Sequence, residues 1–393
     1  MFHLLLLASS IHLSDAERLE VKQLVSQIDD WDGFVDRSTG THLAPILHKN
    51  LNACKELIPA NVVSFLSNAY NQVLVRNIRL YESFAAILGQ LNDAGVDCVP
   101  LKGIYLAETV YNDLGLRHLS DIDILIRSED VESVCQLMQK TGWDTKKAVP
   151  RSALESEKFT PAHPYTFYRN GVTVELHTHL YNRHQGADIG ETALWELTNE
   201  QEFCGGIIRQ FGNEMLLQHL CLHLHKHLVG HELKMVSFCD IRELTVKYRE
   251  SFDWDHFETA CAQYRCLSEV QEILWLCVKH WKVRIPDSFF KTHVPNDHTE
   301  ARFLDYFSGY SVKPSKKLEN IASNSWARFG QLKGFTPRLK FIVGYVFPSS
   351  DFMYRHFNLT EGSWLFPWYV LRVLILTRKS MIALGSKIRN QFR

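Results

Sequence analysis

Residues 116–126 read Leu-Arg-His-Leu-Ser-Asp-Ile-Asp-Ile-Leu-Ile, and this stretch decides the fold. The apolar run from Ile122 to Ile126 predicts a buried strand that begins directly after Asp121. Because successive side chains of a strand point to opposite faces, Asp121 and Asp123 share one face and the isoleucines enter the core from the other. Two neighbouring carboxylates repel each other unless a cation lies between them, and a divalent ion is the usual solution. The stretch therefore predicts a metal-binding strand.

A second acidic strand follows about fifty residues later along the chain. Residues 165–169 and 172–177 are rich in β-forming residues, and Asn170-Gly171 between them favours a tight hairpin turn. Alternation puts Glu175 on the face opposite to the apolar residues of its strand. If this strand lies beside the Asp121 strand, three carboxylates meet at one site, which is the arrangement that binds nucleotide phosphates through Mg²⁺.

Four polar or small residues near these strands are candidates for phosphate binding. Lys102 and Gly103 lie between a predicted strand, residues 96–101, and a predicted helix, residues 104–111, where free backbone N–H groups attract anions. Ser120 can donate a hydroxyl and Arg117 can bind phosphate oxygens in bidentate fashion. Each also has an ordinary explanation, such as an ion pair for Arg117, and it is the order of the elements that favours a nucleotide site.

At these residues the chain resembles the nucleotidyltransferase superfamily related to DNA polymerase β. More closely, it resembles a bacterial family catalogued as uncharacterised nucleotidyltransferases, which shares L-K-G, R-x-x-x-D-I-D-I-L and V-E-L-H; these stand here at 101–103, 117–125 and 174–177. The resemblance implies Asp121, Asp123 and Glu175 as metal ligands and Gly103 as a triphosphate-loop residue. It also implies an α+β fold, in which a small mixed-sheet core is flanked by helical regions. Better-studied superfamily members carry Gly-Ser in the first turn, where this chain has Lys102-Gly103.

The histidines allow a competing hypothesis. His219, His223, His227 and His231 recur every four residues and share a helix face from which His225 is excluded, and His177 and His179 form an H-x-H. Such residues can bind zinc or manganese in a hydrolase, although the chain has no H-E-x-x-H. We favour a structural role or contact with substrate, with His177, His223 and His227 as the candidates. A non-catalytic nucleotide-binding module with the same fold is the third hypothesis.

Length and composition set outer limits. A chain of 393 residues predicts two or three domains. The sequence patterns divide it into four regions, a helical bundle over 1–94, the core over 95–205, a helical domain over 206–300 and a basic, aromatic extension over 301–393. The net charge of −1 favours neither acidic nor basic partners. Nine scattered cysteines argue against a disulfide framework and favour the cytoplasm. The apolar run at 4–8 is too short to span a bilayer, so we interpret it as a core helix rather than an atypical signal peptide.

The extension from residue 311 onward is strongly basic, with interleaved tryptophan and tyrosine. This composition allows weak contact with nucleic acid or with an anionic membrane surface. The simpler interpretation is a closing helix whose basic face is solvated. Together the patterns predict a Mg²⁺- or Mn²⁺-dependent enzyme that moves a nucleotide from an NTP, such as ATP, to an acceptor that is a small molecule, a protein or an RNA.

Overall fold

The computed structural model describes residues 1–145, 165–181, 189–229, 234–293 and 299–301, together with 295, 303–304 and short pieces between 338 and 373. The helices in these ranges are α1 Phe2–Leu7, α2 Asp15–Val25, α3 Trp31–Gly40, α4 Ala44–Leu51, α5 Ala60–Asp93, α6 Gly103–Thr109, α7 Val131–Lys140, α8 Glu191–Glu196, α9 Asn213–Val229, α10 Val236–Lys247, α11 Trp254–Gln263 and α12 Leu267–Trp281. The strands are β1 Cys98–Leu101, β2 Ile122–Ile126, β3 Asp144–Thr145, β4 Tyr165–Arg169, β5 Val172–His177, β6 Thr198–Phe203 and β7 Gly206–Phe211.

A five-stranded mixed sheet is the centre of the α+β fold, in the order β1-β2-β5-β4-β3. The pair β2 and β5 is parallel, and the other pairs of this sheet are antiparallel. The predicted bounds of β2, β4 and β5 are confirmed. Asn170 and Gly171 have φ angles of 49° and 78°, which is the left-handed backbone that the predicted turn requires.

The two faces of the sheet are buried in different clusters. Ile122, Ile124 and Ile126 join the main core, which also contains apolar residues of the long helix α5. Leu125 points the other way and packs in a smaller cluster with Trp195 of α8 and other apolar residues. Every residue of β2 is thereby buried, including Asp123, which is only 6% exposed. A carboxylate placed this deep needs partners of opposite charge.

The hairpin of β6 and β7 was not predicted from the sequence. Its turn uses Cys204 and Gly205, with φ angles of 50° and 79°. Asn92 near the end of α5 holds the second strand, because its side-chain amide donates to the Ile207 carbonyl at 2.8 Å and accepts from the Ile207 N–H at 2.9 Å. The hairpin is therefore fixed to the helix that supports the sheet.

The helical pattern of residues 128–140 predicts a helix with Ser128 as its N-cap. Residues 128–130 form a 3₁₀ turn and the α-helix starts at Val131, so this prediction of the N-cap is wrong. The backbone N–H of Ser128 instead donates to the Glu191 carboxylate at 2.6 Å. At the N-terminus, by contrast, Ser14 and Glu17 form a capping box, and residues 4–7 are buried as the predicted core helix.

The chain divides into two compact units, one made of residues 1–228 and 233–312 and the other of 229–232 and 313–393. Among the residues that the structure describes, no helix is long and apolar enough to cross a membrane. Most of the basic residues predicted for nucleic-acid or membrane contact lie outside the described residues. Within this region the structure describes one short helix, around residues 366–373.

Candidate active site

The two acidic strands are neighbours in the sheet. Strands β2 and β5 run parallel, and their register places Asp123 opposite Glu175. Facing positions of adjacent strands lie about 5 Å apart, so the two side chains project from the same face into one region. The condition that the sequence left open, adjacency of the two strands, is confirmed.

A third donor joins the two carboxylates. The His177 imidazole lies two residues beyond Glu175 on the same face of β5, and its Nε2 is 2.7 Å from Asp123 Oδ1 and 4.0 Å from Glu175 Oε2. Ligand atoms of Asp123, Glu175 and His177 all lie within 4.8 Å of one another. Two carboxylate oxygens and one imidazole nitrogen at this separation fit the donor requirements of a divalent cation.

Lys102 provides a positive charge to this cluster. Its Nζ is 3.0 Å from Asp123 Oδ2, and the side chain is largely buried. The lysine follows strand β1 with φ 52° and ψ −120°, a backbone conformation that is unfavourable for a residue with a Cβ. Because strain of this kind concentrates at functional sites, the position of this side chain is a candidate functional feature.

The two facing acids have opposite electrostatic environments. Burial alone would raise the pKa of Asp123, but the charge of Lys102 and the hydrogen bond with His177 outweigh it and hold that pKa well below its ordinary value. The pKa of Glu175 is raised, first by burial and then by the charges of Asp123 and Asp121. A cation between these acids would relieve the repulsion that raises the pKa of Glu175.

Asp121 lies at the edge of this arrangement. It precedes β2, is half-buried, and accepts a hydrogen bond from Ser120 Oγ at 2.9 Å. Its charge reaches Glu175, but Asp121 does not belong to the group of donors within 4.8 Å of one another. The structure thus brings together Asp123, Glu175 and His177, with Asp121 as an electrostatic neighbour.

Helix α5 positions the loop that leads into β2. Asn77 donates to the carbonyls of Leu114 and Arg117 at 2.6 and 2.7 Å. Arg76 donates to the carbonyls of Leu119 and Ser120, both at 2.7 Å. Four carbonyls of an irregular segment are satisfied by two adjacent side chains, which fixes where the acidic strand begins.

Arg117 is committed to a partner inside the protein. Its Nε and Nη2 donate to the two oxygens of Asp240 on α10 at 3.1 and 2.7 Å, and Tyr111 Oη donates to the same carboxylate at 2.8 Å. The side chain also fills the space next to Gly103, where an added Cβ would lie 2.2 Å from Arg117 Nη1. Gly103 therefore permits close packing of the arginine. Sequence reasoning did not assign Asp240 a role, since nothing local links it to Arg117.

The histidine face of α9 lies near the acidic cluster. His219 is 2% exposed and its ring centroid is 6.1 Å from that of His223, whose Nε2 is 3.1 Å from His227 Nε2. His225 points elsewhere and pairs with Glu272 at 3.0 Å. His231 lies outside the described residues. His179 interacts with the hydroxyl of its neighbour Thr178 at 2.9 Å.

A mixed sheet with two acids on adjacent parallel strands fits the nucleotidyltransferase core that the sequence resemblance implies. The family described as uncharacterised nucleotidyltransferase matches residues 28–282, which cover most of the chain. The chain therefore belongs to this nucleotidyltransferase family. No curated protein matches the sequence.

Proposed function

We propose that this protein transfers a nucleotidyl group from an NTP to an acceptor hydroxyl in a reaction that depends on Mg²⁺ or Mn²⁺. The observation that carries the proposal is the register of Asp123 opposite Glu175, with a third donor from His177. Membership of a nucleotidyltransferase family supports the same chemistry. The acceptor is a small molecule, a protein or an RNA, and the helices before and after the core are where it binds.

The acidic residues have two proposed roles, metal binding and proton transfer. When bound, a divalent ion neutralises phosphate charge and favours the deprotonated acceptor. Asp123, Glu175 and His177 would hold it, with Asp121 as a charged neighbour at the edge of the site, and Lys102 would supply positive charge to the phosphates. The acceptor oxygen bonds to the α-phosphorus as the bond to the pyrophosphate oxygen breaks, and pyrophosphate leaves with that electron pair. Glu175, which lies on β5 opposite Asp123, would accept the acceptor's proton.

The experiment is incubation of the purified protein with each labelled NTP and MgCl₂, then with MnCl₂, while pyrophosphate release and labelling of the protein or of added acceptors are measured. Asp123→Asn and Glu175→Gln should abolish release. Asp97→Asn is the matched control, because Asp97 makes only a partly exposed ion pair with Arg127 at 3.4 Å. Release that survives both active-site substitutions would exclude the proposal.

One observation favours a second candidate, a metal-dependent hydrolase. His177 adds an imidazole nitrogen to the donor set, and imidazole favours Zn²⁺ or Mn²⁺ over Mg²⁺. A hydrolase would turn over phosphoester substrates without NTP and would respond to Zn²⁺. A nucleotide-binding module without catalysis would show a shift in melting temperature with NTP and no product in either assay.

A further inference from the structure

The side chains first expected to bind phosphate are largely used within the protein. Two guanidinium nitrogens of Arg117 donate hydrogen bonds to Asp240, and the Ser120 hydroxyl donates one to Asp121. The space beside Gly103 is filled by Arg117. If the proposed function holds, the outer phosphates of the nucleotide need donors from another part of the fold.

His219 has the hydrogen-bonding capacity that these groups lack. It is 2% exposed, and neither ring nitrogen has a hydrogen-bond partner among the residues that the structure describes. Burying a polar group without a partner is unfavourable, and buried polar side chains in folded proteins are nearly always satisfied. Within the described structure, the His219 imidazole therefore leaves one N–H donor and one acceptor nitrogen for a ligand.

His219 interacts electrostatically with residues of the acidic cluster. Burial and then the charges of Lys102 and His177 lower the pKa of His219 to about 3. The pKa of His223, one turn further along, is also lowered, by burial and then by Lys102 and His227. Tyr181 packs against His219 with a ring centroid distance of 5.8 Å.

These groups have the chemistry of an anion site. Each neutral imidazole offers one N–H donor and Tyr181 offers an O–H donor. The charge of Lys102, which also pairs with Asp123 at 3.0 Å, reaches His219. The same positive charge opposes a second cation at the histidines. Because His223 is half-buried while His219 is fully buried, the row extends inward from a partly accessible end.

We propose that His219 and His223 of α9, together with Lys102, bind the β- and γ-phosphates of the nucleotide. This inference rests on the proposed function for the identity of the ligand. It adds a helix of the helical region to Lys102, the residue that follows the first strand, as a part of the phosphate site.

The test is calorimetric titration of the full chain with inorganic tripolyphosphate, with and without MgCl₂. His219→Phe removes both nitrogens and keeps a ring in the pocket, and His223→Phe does the same at the outer position. Each should weaken binding at least tenfold, whereas His219→Gln, which keeps a donor and an acceptor, should stay within about threefold of the wild type. His225→Gln is the control on the same helix and should bind normally, because His225 pairs with Glu272.

Folding is checked in the same samples. Because His219 makes no hydrogen bond within the described structure, His219→Phe should melt at or above the wild-type temperature. Normal binding by both phenylalanine variants, or no binding by the wild type, would overturn the inference. Zinc chloride is titrated in parallel, and binding of Zn²⁺ but not tripolyphosphate through His223 and His227 would also overturn it.

The outcome separates the inference from the proposed function. Binding of tripolyphosphate that depends on His219, without nucleotide transfer, would support the phosphate site and count against the transferase. Transfer with the same KM for NTP in the wild type and in His219→Phe would support the transferase and reject the phosphate site.

Discussion

Arg117 and Asp240 form a bidentate ion pair between the loop that precedes β2 and helix α10, with N···O distances of 3.1 and 2.7 Å. Both side chains are almost completely enclosed. The pair crosses 123 positions of the sequence and ties the start of the acidic strand to the helical region. Bidentate geometry and a third hydrogen bond, from Tyr111, are features of strong charged pairs.

Removing one charge of this pair should be costly. Asp240→Asn leaves the Arg117 guanidinium buried without a counter-charge, and breaking a buried pair in this way destabilises proteins by about 3–5 kcal/mol. Urea denaturation followed by circular dichroism measures the change. A loss below about 1 kcal/mol would mean that the pair behaves like an exposed ion pair, and Asp97→Asn, which breaks a partly exposed pair, provides that comparison.

Gly103→Ala should destabilise the core through the same arginine. The added Cβ would lie 2.2 Å from Arg117 Nη1 and 2.6 Å from Leu119 Cδ2, and overpacking of this kind costs about 1–3 kcal/mol. Gly89→Ala is the matched control within α5, where nothing lies within 4 Å of the new methyl group. That substitution should stabilise the protein by about 0.5–1 kcal/mol, because alanine favours a helix interior over glycine. Equal effects at the two glycines would contradict the packing role of Gly103.

Catalysis should depend on the two facing acids far more than on their neighbour. Asp123→Asn and Glu175→Gln should each lower the rate of pyrophosphate release by at least about 100-fold, since each removes a charge that holds the metal. Asp121→Asn should have a smaller effect, because Asp121 lies outside the group of donors within 4.8 Å. Initial rates at saturating NTP and metal measure this order. If Asp121→Asn proved as inactive as Asp123→Asn, Asp121 would have to bind the metal ion directly in the metal-bound enzyme.

The stacked pair of His42 and His118 should make stability depend on pH. Their ring centroids lie 4.6 Å apart, and burial followed by the charges of His42, Arg76, Arg117 and Lys234 lowers the pKa of His118 to about 4. The pKa of His42 is lowered as well, by burial and then by Lys234 and Arg117.

A histidine with a lowered folded-state pKa takes up its proton more readily in the unfolded chain. Stability should therefore be full above the ordinary pKa near 6.5 and should fall as the pH drops from there towards about 4. Melting temperatures between pH 7.5 and 4.5 test this. His118→Phe keeps the stacked ring and should show a shallower decline, and a decline as steep as in the wild type would exclude His118 as its source.

The strands that carry the site could be predicted because their signals are local. Alternation and the Asn170-Gly171 turn sufficed for β4 and β5, and a run of branched apolar residues sufficed for β2. Alternation also predicted that His177 lies on the same face of β5 as Glu175. The distance of 2.7 Å between His177 Nε2 and Asp123 Oδ1 depends on the order of the strands in the sheet, which no local pattern encodes. The resemblance implied a shared metal site but left the adjacency of β2 and β5 as a condition, which the structure confirms.

What could not be predicted depends on distant contacts. The polar strand β6 carries little alternation, and it is paired with β7 and fixed through Asn92 to a helix more than a hundred residues earlier. Arg117 looked equally suited to phosphate and to a carboxylate, and only packing against α10 decides between them. His219 looked like any residue of a helical row until its two ring nitrogens proved to lack partners in the described structure.

The parallel pairing of β2 with β5 has a consequence for how the protein matures. Asp123 and Glu175 are separated by 52 positions, and they meet only after the intervening segment has closed and the β4–β5 hairpin has docked beside β2. Closing a long connection costs chain entropy before stabilising contacts form, so this pairing forms more slowly than a hairpin. During synthesis, a nascent chain that ends before Val172 contains Asp123 but not Glu175. The facing pair of acids is therefore complete only after β5 has been synthesised and has paired with β2.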